Sequence, residues 1–190
     1  MGRIIAAHPR IGLKSRGDAF TTLARSIVGQ QISVKAADAV WGRFCLSCGE
    51  LTPQAVLRRR ATTLRACGLS ERKVEYIRDL CQHFVSGRID PARFARQDDE
   101  AIIGELTDIR GIGRWTAEMF LIFNLLRPNV LPLDDLGLLK AVSLHYLDGE
   151  PVVGRAGRDR VEALAGQWAP WRSVATWYLW RSLDPVPVEY

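Results

Sequence analysis

The stretch LTDIRGIGRWTAEMFLIFNLLRPNVLPLDDLGLLK, Leu106 to Lys140, decides how the chain reads. Two helical patterns meet at Gly111-Ile112-Gly113, and the second carries Trp115 and Met119 before Pro128 breaks it. A new helix then starts at two adjacent carboxylates, Asp134 and Asp135, with Lys140 about one turn beyond them. Glycines in so short a link permit backbone angles closed to other residues and let main-chain amides approach a ligand closely. The N–H groups at the start of the following helix add to this and make a seat for an anion such as a phosphate. Ile109 and Ile112 are the apolar residues that would pin the turn to a core. A bare Gly-x-Gly is equally what a tight helix connection needs, so the turn alone does not establish a binding site.

The carboxylate pair is open in the same way. One of the two can cap the helix, which is worth ~1 kcal/mol. Both cannot, so the second is available to face elsewhere, and the positive end of the helix dipole favours a negative charge there. A carboxylate held in a pocket is suited to stabilising a developing cation.

Upstream, helical patterns follow one another with turn signals between them. Asp18 caps a stripe of Phe20, Leu23, Ala24, Ile27 and Val28 that ends at Gly29. A short link, Gln30-Gln31-Ile32, leads to Ser33, which caps a helix through Val40, Trp41 and Phe44. Pro53 suits the first position of a short helix, and Thr62 or Thr63 starts a single turn. Ser70 opens an amphipathic helix with Val74, Ile77, Leu80, Cys81, Phe84 and Val85 expected inward. Asp90-Pro91 and Asp98 open two more. Downstream, residues 149–157 read as a loop, 158–167 as a helix, and Pro170 opens a last helix carrying Trp171, Trp177, Tyr178 and Trp180. No segment alternates with period two, so the expected class is all-α, with about ten short helices.

Composition narrows the partners. A net charge of +5 permits a polyanionic ligand without demanding one. No apolar run is long enough for a membrane span and no signal pattern opens the chain, which points to a cytosolic protein with nucleoid association. Cys45 and Cys48 form a Cys-x-x-Cys, but Cys67 and Cys81 are not at ligand spacing from each other. The four therefore read as buried free thiols rather than a metal site. Of six tryptophans, Trp41, Trp168 and Trp171 read as core, while Trp115, Trp177 and Trp180 have faces that could take a planar, cationic ring.

Taken together, Gly-Ile-Gly-Arg-Trp-Thr-Ala (111–117), Leu-Pro-Leu-Asp-Asp-Leu-Gly (131–137) and Ile-Val-Gly-Gln-Gln-Ile-Ser (27–33) resemble the helix-hairpin-helix DNA glycosylase superfamily. The likeness is greatest to the DNA-3-methyladenine glycosylase II family and runs from Asp18 to Trp180. The resemblance implies two helical lobes with a central cleft, here about 33–125 for the central lobe and about 1–32 plus 126–190 for the second. It implies a hairpin of Gly111, Ile112 and Gly113 that, with Arg114 and Thr116, grips a phosphate of double-stranded DNA. A monovalent cation, Na+ or K+, is implied at the carbonyls of Ile109 and Gly111. The catalytic aspartate falls on Asp135, leaving Asp134 as cap or support and Lys140 as a structural or phosphate contact. Base-pocket positions fall on Trp115, Met119, Trp180 and Trp177, and the duplex wedge on Gln30 and Gln31, with Gln31 the plug.

Departures from the wider superfamily sharpen the expectation. Lyase members carry a lysine where Trp115 stands, so a monofunctional hydrolase of alkylated purines such as 3-methyladenine is expected, leaving an abasic site. No cysteine follows Cys81, so no iron–sulfur cluster is expected. Seventeen residues before Asp18 leave no room for the β-rich domain of longer relatives, and a monomer is expected. Two other readings stay open at this point. One is a glycosylase for another damaged base (hypoxanthine, uracil or oxidised guanine), given Met119 where relatives carry an aromatic. The other is a non-catalytic DNA clamp, which would need neither Asp135 nor an aromatic pocket.

Overall fold

In the computed structural model, residues 1–9 and 12–183 are described, and among them there are helices and no strand. The α-helices are α1 (Gly2–Ala7), α2 (Ala19–Gly29), α3 (Val34–Cys48), α4 (Pro53–Leu57), α5 (Ala61–Ala66), α6 (Glu71–Val85), α7 (Asp99–Thr107), α8 (Arg114–Phe123), α9 (Leu136–Tyr146), α10 (Gly154–Ala165) and α11 (Arg172–Leu183). Two 3₁₀ turns, Pro91–Arg96 and Gly166–Trp168, complete the path. No helix among the described residues is long and apolar enough to cross a membrane.

Polar caps set the helix starts. Asp18 accepts from the Thr21 N–H at 2.9 Å, Ser33 from Ala36 at 3.3 Å, Ser70 from Lys73 at 3.3 Å and Asp98 from Ala101 at 2.8 Å. Each satisfies one of the N–H groups that a helix start leaves without an internal partner. Asp90 does the same for the 3₁₀ turn that Pro91 opens. α10 begins at Gly154, inside the stretch read as loop, and α11 begins two residues after Pro170.

Two compact units divide the chain. Among the described residues, one runs from Arg16 to Phe120, and the other combines the segment before Arg16 with residues 121–183. The sequence reading had placed residues up to 32 with the second unit. Instead α2 belongs with the middle of the chain, because its apolar stripe (Leu23, Ala24, Ile27, Val28) is fully buried and it packs on α3 and α6. In the Arg16–Phe120 unit, α6 is the central strut and packs against α2, α4 and α5. Phe20 meets Phe84 edge-on, ring centroids 5.4 Å apart, and Phe94 meets Phe120 at 5.7 Å. Val85, expected inward, is 48% exposed, while His83 is buried. The helix stops at Val85, and Ile89 folds back to bond the His83 carbonyl at 3.1 Å, so Ile89 takes the apolar place.

The other unit packs α9 against α11, with α1 on α11 and α10 on α9. Its core holds Leu138, Leu139, Ala141 and Val142 of α9, together with Val161, Trp168 and Leu179. Ser173, fully buried, ties the loop before α9 to α11 by accepting from the Val130 N–H at 2.9 Å and donating to the Arg127 carbonyl at 2.6 Å. Trp168 is core as expected, but Trp171 is 60% exposed and was misread. The cysteines are free: Cys48, Cys67 and Cys81 are buried and Cys45 partly so.

Candidate active site

The hairpin turn lies between α7 and α8. Gly111 adopts φ +84°, the left-handed region that favours glycine. A second demand falls on the same residue, because a Cβ there would lie 2.2 Å from the Tyr76 ring of α6. Gly113 has neither constraint, since a Cβ on it meets nothing within 4 Å. Ile109 and Ile112 are buried as expected. The turn is also held from outside. Asp79 of α6 accepts from the Arg110 N–H at 2.8 Å, and the Gln30 carboxamide donates to the Gly111 carbonyl at 2.7 Å. The start of α8 therefore presents its N–H groups from a rigid platform, the geometry an anion needs.

Two residues read as phosphate contacts behave otherwise in their side chains. The Arg114 guanidinium is spent on Glu100 of α7, bonded at 2.9 Å through one nitrogen and paired through a second, and on Glu118 at 3.0 Å. These carboxylates raise its pKa further, and Arg114 in turn holds the Glu100 carboxyl below its ordinary value. Thr116 is buried.

Asp135 caps α9. Its Oδ1 accepts from the Leu138 N–H at 2.6 Å and from the Trp180 indole N–H, also at 2.6 Å. The residue is buried, 8% exposed. The expected division of labour between the two carboxylates is thus reversed in one respect: Asp135 itself is the cap. Asp134 is exposed and pairs with Arg158 of α10 at 3.0 Å. One turn places Oδ1 under the helix start and sends the preceding side chain outward, which is why the cap falls on the second residue. Lys140 lies exposed on α9.

Trp180 of α11 is half-buried. Its ring stacks on Phe123 at 5.8 Å, 17° from parallel, while its N–H reaches Asp135. Trp177, one turn earlier, meets Tyr178 edge-on and carries the Arg181 guanidinium 5.2 Å from its ring centroid, a cation–π contact. On α8, Trp115 is half-buried and Met119 buried. Gly137 is a site residue that sequence reading missed. A Cβ there would meet Trp180 Cδ1 at 3.0 Å and Asp135 Oδ1 at 3.1 Å, so the indole rests on the bare α-carbon. Phe123 and Tyr76 were missed too, since nothing local in a helical aromatic shows which distant residue it will meet.

A family model for the HhH-GPD superfamily base excision DNA repair proteins matches residues 24–163. The chain belongs to this superfamily. It is 36% identical over 168 residues to DNA-3-methyladenine glycosylase 1 of Schizosaccharomyces pombe, covering 86% of this chain and 72% of that protein. Among solved structures, a DNA-3-methyladenine glycosidase from Bacillus halodurans aligns with a TM-score of 0.85 at 37% identity, over 95% of this chain and 87% of that one. The Schizosaccharomyces pombe 3-methyladenine DNA glycosylase in complex with abasic DNA aligns with a TM-score of 0.79 at 32% identity, over 98% and 93%. The structure separates the two glutamines of the α2–α3 link. Gln30 is committed to the hairpin, whereas Gln31 is exposed in a left-handed conformation at φ +59°.

Proposed function

We propose that the chain is a monofunctional DNA glycosylase of base excision repair that removes alkylated purines such as 3-methyladenine and leaves an abasic site. The observation that carries this reading is Asp135, a buried carboxylate oriented by two donors on one oxygen, in a chain similar to DNA-3-methyladenine glycosylases. The lesion is rotated out of the stack at a cost of a few kcal/mol, least where pairing is already weak. Gln31, exposed on its link, fills the gap. The first turn of α8 takes a backbone phosphate. Trp115, Met119, Trp177 and Trp180 are the proposed base contacts, and aromatic faces favour a cationic base.

An alkylated purine is positively charged and leaves readily, so no strong general acid is required. Asp135 stabilises the oxocarbenium-like sugar as the bond breaks and orients the attacking water, which adds to the sugar as the neutral base departs. The water gives its proton to the carboxylate, from which it passes to solvent. Trp115 stands where lyase chemistry would need an amine, so the product strand stays intact.

The superfamily's monovalent cation is compatible with the turn. The Ile109 carbonyl accepts from Ile112 N–H and the Gly111 carbonyl from Gln30, and a carbonyl oxygen retains a second lone pair after one such bond. Among the described residues no cluster of acidic, histidine or cysteine side chains could hold a metal, so such a cation would rest on main-chain oxygens and help to fix the turn. The protein acts as a monomer on damaged duplexes at the nucleoid.

Purified protein is expected to release 3-methyladenine from methylated duplex DNA and to yield strands that break only on alkali treatment. Strands cut without alkali would show lyase activity. No released base from any alkylated duplex would remove the proposal.

A further inference from the structure

The Gln30-Gln31 link is held from two directions by residues that no catalytic role explains. Lys73, in the first turn of α6, donates from Nζ to the carbonyls of Val28 and Gln30, both at 2.7 Å. These carbonyls close α2 and lack helical partners, and a cation is the favoured donor at that end. The side chain of the same Gln30 donates to Gly111. Main chain and side chain of the residue before Gln31 are therefore fixed separately, the first to α6 and the second to the hairpin. Gln31 itself sits in a backbone conformation that a residue with a Cβ keeps only when its surroundings hold it.

The anchoring helix is shared. Lys73, Tyr76 and Asp79 follow one another at three-residue spacing on α6, reaching Gln30, Gly111 and Arg110 respectively. The ammonium is half-buried, and burial lowers its pKa. A residue needed for packing alone would not carry a charge there.

We propose that Lys73 and Gln30 are positioning residues that lock Gln31 in register with the hairpin turn, so that the plug enters the duplex at a set distance from the gripped phosphate. This rests on the reading of Gln31 as the plug of a glycosylase.

The test is a double-mutant cycle in single-turnover excision from a methylated duplex, with Lys73→Met, Gln31→Ala and the pair. Lys73→Met keeps the stem and deletes the donors. It should slow excision about tenfold with Gln31 present and less than about twofold without it, and Lys73→Arg should restore most of the loss. Equal losses in both backgrounds would overturn the proposal, because a general loss of stability follows the protein into each. If Lys73→Met does not fold, Gln30→Met goes through the same cycle. A second readout needs no chemistry: 2-aminopurine placed opposite a tetrahydrofuran abasic site reports plug insertion by its fluorescence. The wild-type change should vanish in Lys73→Met. If it persists there, the brace is wrong. If the wild type inserts but excises nothing, the brace stands and the glycosylase reading fails.

Discussion

The indole of Trp180 and the backbone N–H of Leu138 converge on a single oxygen of Asp135, each at 2.6 Å. A carboxylate fixed at one oxygen by two donors from different helices has little rotational freedom left. In the proposed catalytic role of Asp135 its orientation is thus set before substrate arrives, which is where electrostatic stabilisation gains its strength. Asp135→Asn separates this role from folding, because asparagine caps a helix as well as aspartate does. Its stability in urea should stay within about 1 kcal/mol of the parent. Single-turnover excision should fall on the order of a hundredfold or more, while affinity for a duplex with an abasic analogue is kept.

Trp180→Phe deletes the donor and keeps a ring against Phe123. The bond removed is to a charged acceptor, so about a tenfold loss in kcat is expected, with KM little changed. A loss confined to KM would instead mark the indole as a base-binding surface only.

Gly137→Ala pits two effects against each other. Alanine is favoured in a helix by roughly 0.5–1 kcal/mol. The new methyl, however, sits 3.0 Å from Trp180 and 3.1 Å from the Asp135 carboxylate. Melting temperature should hold or rise slightly while excision drops. Unchanged activity would show that Trp180 can shift without cost.

The two hairpin glycines should respond differently. Gly111→Ala forces a Cβ into both a left-handed backbone and the Tyr76 ring, and a loss of at least ~2 kcal/mol of stability is expected in denaturant titration. Gly113→Ala meets open space and should change stability by less than ~1 kcal/mol. Its effect should appear as weaker DNA binding, where the amide must approach a phosphate closely.

Burial pushes the Cys81 thiol up to about 12 from an ordinary value near 9, and it raises Cys45 and Cys48 as well. The neutral thiol is therefore favoured in the folded state. Stability contributed this way is complete below pH 9, the unfolded value, and is lost as the pH climbs toward about 12. Iodoacetamide at pH 8 should leave Cys48 and Cys81 unlabelled until denaturant is added.

Much of the fold was legible because caps and apolar stripes are local signals. Asp18, Ser33, Ser70 and Asp98 each occupy the cap read from sequence. Local signals also explain the failures. Nothing in a helix-start pattern says which of two adjacent carboxylates turns under the first turn, so Asp134 and Asp135 exchanged one role. Trp171 carried the same residue-type signal as Trp168, and only tertiary packing distinguishes them. The resemblance makes Arg114 a phosphate contact, and its pairing with Glu100, fourteen residues away, lies beyond any helical spacing, although Glu118 at four residues does not. Gly137 and Tyr76 were invisible for a related reason: one leaves room for a ring and the other is a ring that fills such room, and both depend on partners distant in the chain.

The contact of Gly137 with Trp180 bears on how this chain can change over generations. Gly137 is not in the left-handed region, so a side chain there is opposed by its neighbours, the Trp180 indole and the Asp135 carboxylate, and not by the backbone. Selection on position 137 is then borrowed largely from position 180. Descendants that keep the tryptophan should stay glycine at 137, and in those that lose it only the Asp135 carboxylate still crowds a methyl there. The two positions, forty-three residues apart, should drift as one character.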